Sequence, residues 1–195
     1  LTDVTGVQTC ALPICEKGAQ LLDCGGYSPK NREFMLGADG NWLAFLDENN
    51  SLILWNLKER SLLHTGKSAI YTSLAFSPDG RCLGIADQEG LAILDLQNLS
   101  WQAMEGGKAL TGNIHKIAFS PNGKRIVGIS NQNRIAVWDV ASKRCVGVRE
   151  TEDAITEAIA FSPDGLYLAN AGNRGIVRVW RTDDQIGRAS CRERV

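Results

Sequence analysis

The chain has 195 residues, of which 44% are hydrophobic and 22% charged, and a formal net charge of −1. This size and composition are ordinary for a soluble globular domain with a sizeable core. The charge gives no electrostatic reason to expect nucleic acid or an anionic membrane as a partner. No apolar run reaches the roughly 18 residues that a membrane-spanning helix needs.

The two ends of the chain do not continue the pattern of the segments beside them. Residues 4–14 read VTGVQTCALPI and residues 186–195 read IGRASCRERV. Both strings resemble in-frame translations of the adapter oligonucleotides used in DNA sequencing, and segments of such origin are left out of fold reasoning. We therefore expect residues 1–15 and 186–195 to be artefacts, and the natural part to be cut out of a longer protein.

A five-residue turn motif recurs along the rest of the chain. It reads LGADG at residues 36–40, FSPDG at 76–80, FSPNG at 119–123 and FSPDG at 161–165. The closing glycines lie 40, 43 and 42 residues apart. After each glycine, 14 or 15 residues lead to a bulky residue followed by a polar one, and these pairs are Trp55-Asn56, Leu94-Asp95, Trp138-Asp139 and Trp180-Arg181. Recurrence of both features at a fixed offset indicates internal repeats.

Each repeat is predicted to contain four strands, which are clearest in the third. Residues 114–119 form a β-type run, and Ser120-Pro121-Asn122-Gly123 has the chemistry of a tight turn. Residues 124–129, 134–139 and 143–148 follow as three further strands. No stretch has convincing 3.6-residue periodicity over ten residues, so almost no helix is expected.

The strand runs at residues 126–127 and 135–138 are apolar on both faces. A strand buried on both faces fits sheets that pack radially against one another. A two-layer sandwich would instead have one polar, outward-facing side. The pattern therefore favours a propeller.

A period of 40 to 45 residues, a turn of the SPDG type after the first strand and Trp-Asp at the end of the third strand resemble the WD40 repeat. The resemblance covers nearly all of residues 31–181 and implies an all-β fold. The expected architecture is a partial WD40-type β-propeller, with about four four-stranded antiparallel blades in an open arc. The repeat positions expected to be structural are Phe76, Pro78, Gly80, Phe119, Pro121, Gly123, Phe161, Pro163, Gly165, Trp55, Trp138, Asp139 and Trp180.

The repeat predicts a division of the natural part into blades. Residues 16–30 would hold the outer strand of a preceding blade, at 18–24, and a connector. Blade 1, which is degenerate, would span 31–66, blade 2 would span 67–107, blade 3 would span 108–150, and blade 4 would span 151–185 without its outer strand. The uncovered apolar faces of the terminal blades should make the isolated chain aggregation-prone. A strained four-bladed ring, with residues 18–24 completing the last blade, is the alternative.

The sequence departs from the family at the Gly-His dipeptide expected before the first strand. Gly66-Lys67 lies nearest, with lysine in place of histidine. On the hairpin between the second and third strands, Asn131 and Asn173 stand where the family usually has an aspartate. The family's buried His–Asp–Ser–Trp hydrogen-bond network is therefore expected to be incomplete.

The sequence offers no catalytic, cofactor or metal site. His64 and His115 each lack a second ligand at zinc-binding spacing. Gly66-Lys67-Ser68 has Ser61 where a phosphate-binding loop needs glycine, and a strand rather than a helix follows. The cysteines Cys24, Cys82 and Cys145 are predicted to be small apolar fillers of a reduced protein, which favours a cytoplasmic location.

The resemblance implies that proteins or peptides bind the face formed by the loops entering each first strand and the hairpins joining second and third strands. By position, this predicted partner face comprises Thr72, His115, Glu157, Asp87, Gln88, Glu89, Asn131, Gln132, Asn173 and Arg174. Trp101, which lies outside the register of the other tryptophans, is a further candidate for an exposed contact residue.

A non-catalytic interaction or scaffold domain is the predicted function. Two alternatives stay open: the propeller portion of a multidomain kinase, NTPase or peptidase whose catalytic domain lies outside this chain, and a propeller that binds a small ligand.

Overall fold

A computed structural model of the chain describes residues 29–64, 71–88, 90–106, 112–151, 156–172 and 175–182. These residues form fifteen strands and no helix, so none of them belongs to a helix that could cross a membrane. The strands are β1 Pro29–Leu36, β2 Trp42–Asp47, β3 Leu52–Asn56, β4 Ser61–His64, β5 Tyr71–Phe76, β6 Cys82–Asp87, β7 Leu91–Asp95, β8 Ser100–Ala103, β9 Ile114–Phe119, β10 Arg125–Ser130, β11 Arg134–Asp139, β12 Arg144–Glu150, β13 Thr156–Phe161, β14 Tyr167–Gly172 and β15 Val177–Arg181. The adapter-like ends and the strand predicted at 18–24 lie outside the described residues.

Consecutive strands pair antiparallel into four sheets, which we call blades 1 to 4. Blades 1, 2 and 3 contain β1–β4, β5–β8 and β9–β12, and blade 4 contains β13–β15. The strands of blade 3 begin and end within two residues of the predicted ones. Among the described residues blade 4 has three strands, as the sequence predicted.

Apolar clusters join each blade to the next. One cluster combines Ala44 and Leu54 of blade 1 with Leu83 and Leu94 of blade 2. A second joins blade 2 to blade 3, and a third joins blade 3 to Leu168 of blade 4. The central strands of blade 3 are buried on both faces, which confirms radial packing of sheet on sheet. The fold is an all-β, partial propeller of stacked blades.

The bulky residue that closes each third strand packs towards the preceding blade. Trp138 lies fully buried in the cluster shared with blade 2, and Trp180 packs on the cluster that contains Val127 of blade 3. Leu94 does the same towards blade 1. Trp55 is buried on the side of blade 1 that faces away from blade 2. The predicted role of this position in the core is therefore confirmed.

Two neighbouring strands share the task of filling the space at this position. In blade 3, Trp138 is paired with Cys145 on the outer strand, whereas in blade 2 Leu94 is paired with Trp101. Trp101 stacks on the ring of Tyr71, with centroids 6.4 Å apart and an interplanar angle of 2°. The expectation that Trp101 is an exposed contact residue is wrong, because its indole occupies the volume that the shorter Leu94 leaves.

The turn motif closes through the same hydrogen bonds in blades 2, 3 and 4. In blade 2, the Ser77 hydroxyl donates to Asp79 Oδ1 (2.6 Å) and accepts from the amide of Cys82 (2.9 Å). The amide of Gly80 donates to the carbonyl of Ser77 (2.9 Å), and Gly80 has φ of +70°. This left-handed conformation explains the glycine that ends every copy. Blade 1 has Gly37 in place of the serine and lacks the hydroxyl, which is why its copy is degenerate.

The turns of adjacent blades also touch each other. A Cβ added at Gly123 would lie 3.7 Å from Cδ of Pro78, and one at Gly165 would lie 3.6 Å from Cδ of Pro121. The proline of one turn therefore packs beside the glycine of the next. The turns of blades 2 to 4 consequently form a continuous rim along one edge of the stack.

The two ends of the stack differ in exposure. On the outer face of blade 4, Val177 and Val179 are 48% and 46% exposed, which confirms the expected uncovered terminal face. On the outer side of blade 1, Phe34 is exposed, but Ile53 and Trp55 are buried. The expectation of an uncovered face is therefore wrong for the centre of blade 1.

Candidate functional site

The loops at one end of the strands, opposite the turn rim, form the predicted partner face. There the hydroxyl of Thr72, in β5, donates to the carbonyl of Ile114 in blade 3. One repeat later, His115 Nε2 lies 2.7 Å from the carbonyl of Thr156 in blade 4, to which it can only donate. The second residue of each first strand thus bonds to the first residue of the next blade's first strand.

This relay gives Thr72 and His115 a role between blades, and both side chains are only partly exposed. Their placement does not test whether a partner contacts them, so that remains a prediction. The relay itself could have been anticipated from the sequence, because both residues have polar hydrogen-bonding side chains 43 positions apart. Glu157 holds the equivalent position in β13, but its side chain lies outside the described residues.

The hairpins between second and third strands present the more exposed part of this face. Gln88, Asn131 and Gln132 are exposed, and Asp87 is partly buried. Asp87 Oδ1 accepts from the amide of Gly90 (2.8 Å), which shapes the hairpin of blade 2. Asn131 Oδ1 accepts from the amide of Asn113 (3.1 Å) and so holds the loop that enters β9.

The remaining members of the predicted partner face, Glu89, Asn173 and Arg174, lie outside the described residues. The structure therefore brings together the exposed amide side chains of two adjacent hairpins.

The tryptophans satisfy their indole nitrogens in different ways. Trp138 Nε1 donates to the carbonyl of Glu105 (3.1 Å), and Trp180 Nε1 donates to Asn170 Oδ1 (2.6 Å). Trp55 Nε1 is buried without a partner among the described residues. No described blade contains the family's full network, in agreement with the sequence. Asn170, which is 1% exposed, is a buried polar residue that the sequence analysis missed.

A groove lies on the opposite, turn-bearing side, between blades 2 and 3. Its volume is about 560 Å3, within the range of ligand-binding clefts. The lining comes from the two turns and from the loop after β11, namely Pro78, Asp79, Pro121, Asn122, Gly123, Lys124, Asp139, Val140 and Ala141. Sequence analysis had assigned the turn residues in this groove a structural role only.

Two of the groove's carboxylates are held ionised by local hydrogen bonds. The Ser77 hydroxyl and the amide of Arg81 lower the pKa of Asp79 below the ordinary value of 3.8. The amide and hydroxyl of Ser142 lower the pKa of Asp139 in the same way. Asp164, in the turn of blade 4, has its pKa lowered first by the Ser162 hydroxyl.

These lowered pKa values predict acid sensitivity of the turns. A carboxyl group with a depressed folded-state pKa stabilises the fold fully above its unfolded pKa, and this stabilisation is lost as pH falls through the folded value. We therefore expect the urea midpoint to decrease as pH falls below about 4. Ser77→Ala removes the largest cause of the shift at Asp79 and should make this decrease shallower. An identical pH dependence for the Ser77→Ala chain and the parent would contradict this explanation.

The remaining ionisable clusters give no metal or redox site among the described residues, which contain no group of three or more His, Cys, Asp or Glu side chains that could hold a metal ion. Cys82 and Cys145 are free thiols that pack against the cluster between blades 2 and 3. Burial raises the pKa of both thiols, so they are predominantly protonated at neutral pH. This environment fits the predicted role of both as small apolar fillers.

Comparison with known proteins places these repeats in a family. The sequence pattern of the WD domain, G-beta repeat, matches residues 106–139 and 144–181. An uncharacterized WD repeat-containing protein of Synechocystis sp. is 29% identical over 107 residues, which cover 53% of this chain and 30% of that protein. The transcriptional corepressor LEUNIG_HOMOLOG of Arabidopsis thaliana is 27% identical over 105 residues, covering 53% of this chain and 13% of the corepressor.

The chain thus matches less than a third of the length of either curated relative. The matched residues contain the turn motifs and closing tryptophans of blades 3 and 4, and the same hydrogen bonds and packing recur in the structure. The chain belongs to the WD40-repeat family, of which it forms a partial β-propeller.

Proposed function

We propose that the chain is a non-catalytic, protein-binding scaffold within a larger WD40-repeat protein. The observation that carries this proposal is the repetition of exposed hairpins on a stack whose strands are committed to packing. Gln88 of blade 2 and Asn131 and Gln132 of blade 3 lie at equivalent turns and are exposed. A stack of this kind presents its loops side by side on one surface, which suits an extended partner.

The family supports the same function. WD40-repeat domains are generally non-catalytic interaction modules. One relative is, by its name, a transcriptional corepressor, and this chain corresponds to only 13% of its length. Both points favour a docking module inside a larger protein, with proteins or peptides as its partners.

A site-specific photo-cross-linking experiment tests this proposal. A photoreactive amino acid at Gln132 should cross-link discrete proteins from an extract of the cells that make this protein. The matched control places the same group at Val146, which is 53% exposed on the outer strand of the same blade. Cross-linked bands that are absent for Gln132, or the same for both positions, would contradict a protein-binding hairpin face.

A further inference from the structure

The groove between the turns of blades 2 and 3 has an apolar floor. The rings of Pro78 and Pro121 and the side chain of Val140 contribute to its lining. Pro78 is fixed by its packing beside Gly123, as described above, so the floor belongs to the rigid rim. A preformed surface of this kind can bind an apolar side chain without a large ordering cost.

Three charged groups border this floor, and none of them neutralises another. Asp79 and Asp139 each use Oδ1 for hydrogen bonds within their own turn, which leaves Oδ2 available to a ligand. Lys124 is exposed. Within the described part of the chain, ion pairs within 4.0 Å join Arg134 to Glu150 and Arg144 to Glu105, and neither pair includes these three groups. The lining therefore has a net charge of −1.

We propose that this groove binds a basic peptide segment of a partner protein, an inference that rests on the scaffold function and adds a second docking surface to it. An arginine or lysine of the segment pairs with the two carboxylates, and an adjacent apolar side chain covers the proline rings. Charge complementarity selects the basic partner, because a net negative groove repels an acidic one. The surface lies on the opposite side of the blades from the hairpins.

The chain provides a conservative way to remove each charge. Asn122 occupies the position of Asp79 in the turn of blade 3, where its Oδ1 accepts the same two hydrogen bonds. Asp79→Asn therefore removes the charge and keeps the turn, and Asp139→Asn retains an oxygen for Ser142. Asp164→Asn makes the same change in the turn of blade 4, outside the groove, and is the matched control.

Fluorescence anisotropy with two labelled peptides provides the test. The probes are Ac-GLRVRLG-NH2 and its charge-reversed counterpart Ac-GLEVELG-NH2. We expect the basic peptide to bind more tightly, and Asp79→Asn and Asp139→Asn each to weaken it by about fivefold, the upper range for a partly exposed ion pair. Lys124→Glu should strengthen binding of the basic peptide, and Asp164→Asn should leave it unchanged.

Several results would overturn the inference. These are equal binding of the two peptides, tighter binding of the acidic peptide through Lys124, or an Asp164→Asn effect as large as that of Asp79→Asn. None of these results affects cross-linking from Gln132, which lies on the other side of the blades. Failure of the groove and failure of the scaffold function are therefore distinguishable.

Discussion

Replacing Trp138 by alanine should lower the free energy of unfolding by about 3–5 kcal/mol, the usual range for truncating a buried tryptophan. Trp138 is fully buried between blades 2 and 3, and its indole nitrogen donates to the carbonyl of Glu105. The substitution removes the packing of the ring and leaves a buried carbonyl without its donor. Urea unfolding of the parent and variant chains, followed by circular dichroism, measures the difference.

Two further variants separate packing from position. Trp138→Phe keeps an aromatic ring but loses the hydrogen bond, so it should cost less than alanine. Trp180→Ala changes the same repeat position in blade 4, where the ring is partly exposed, and should also cost less. Equal losses for Trp138→Ala and Trp180→Ala would show that burial between two blades does not determine the contribution of this position.

Replacing Gly84 by valine should destabilise the chain by about 1–3 kcal/mol, the range expected for overpacking a core. Gly84 lies in the middle of β6, on the face that packs against blade 3. A Cβ at this position would lie 2.6 Å from Cδ1 of Ile126 and 3.0 Å from Cε2 of Phe119. The larger side chain therefore has to push blades 2 and 3 apart. The urea midpoint measures the loss.

The control for Gly84→Val is Ala103→Val, which adds methyl groups at an exposed position of β8 in the same blade. This change should have little effect. If the clash with Ile126 causes the loss, Ile126→Ala should cost less in the Gly84→Val background than in the parent. Additive effects of the two substitutions would contradict a direct contact.

The turns and the central strands could be predicted from the sequence because their causes are local. Ser, Pro, Asp or Asn, and Gly in a fixed order determine the backbone of the turn, and runs such as residues 135–138 reveal burial on both faces. Trp101 could not be placed in this way. Its burial depends on the small volume of Leu94 in the neighbouring strand and on the ring of Tyr71 in a third strand.

The candidate surfaces depend on contacts between repeats, and this limited what the sequence could show. The hydrogen bond from Thr72 to the carbonyl of Ile114 joins residues 42 positions apart, and neither residue type alone indicates it. The groove arises because turns of adjacent blades lie side by side, which places Asp79 near residues that follow β11. Each residue has an ordinary role in its own turn, and the groove exists only where two turns meet.

Packing between successive blades has a consequence for how the molecule loses its structure. Each of the three apolar clusters that join blades links one blade to the next, and the relay through Thr72 and His115 follows the same order. Such a chain behaves as a one-dimensional lattice in which each unit is stabilised by its immediate neighbours. Blade 3, held on both sides, should exchange its amide protons more slowly than blade 4, which has an open outer face and opens first.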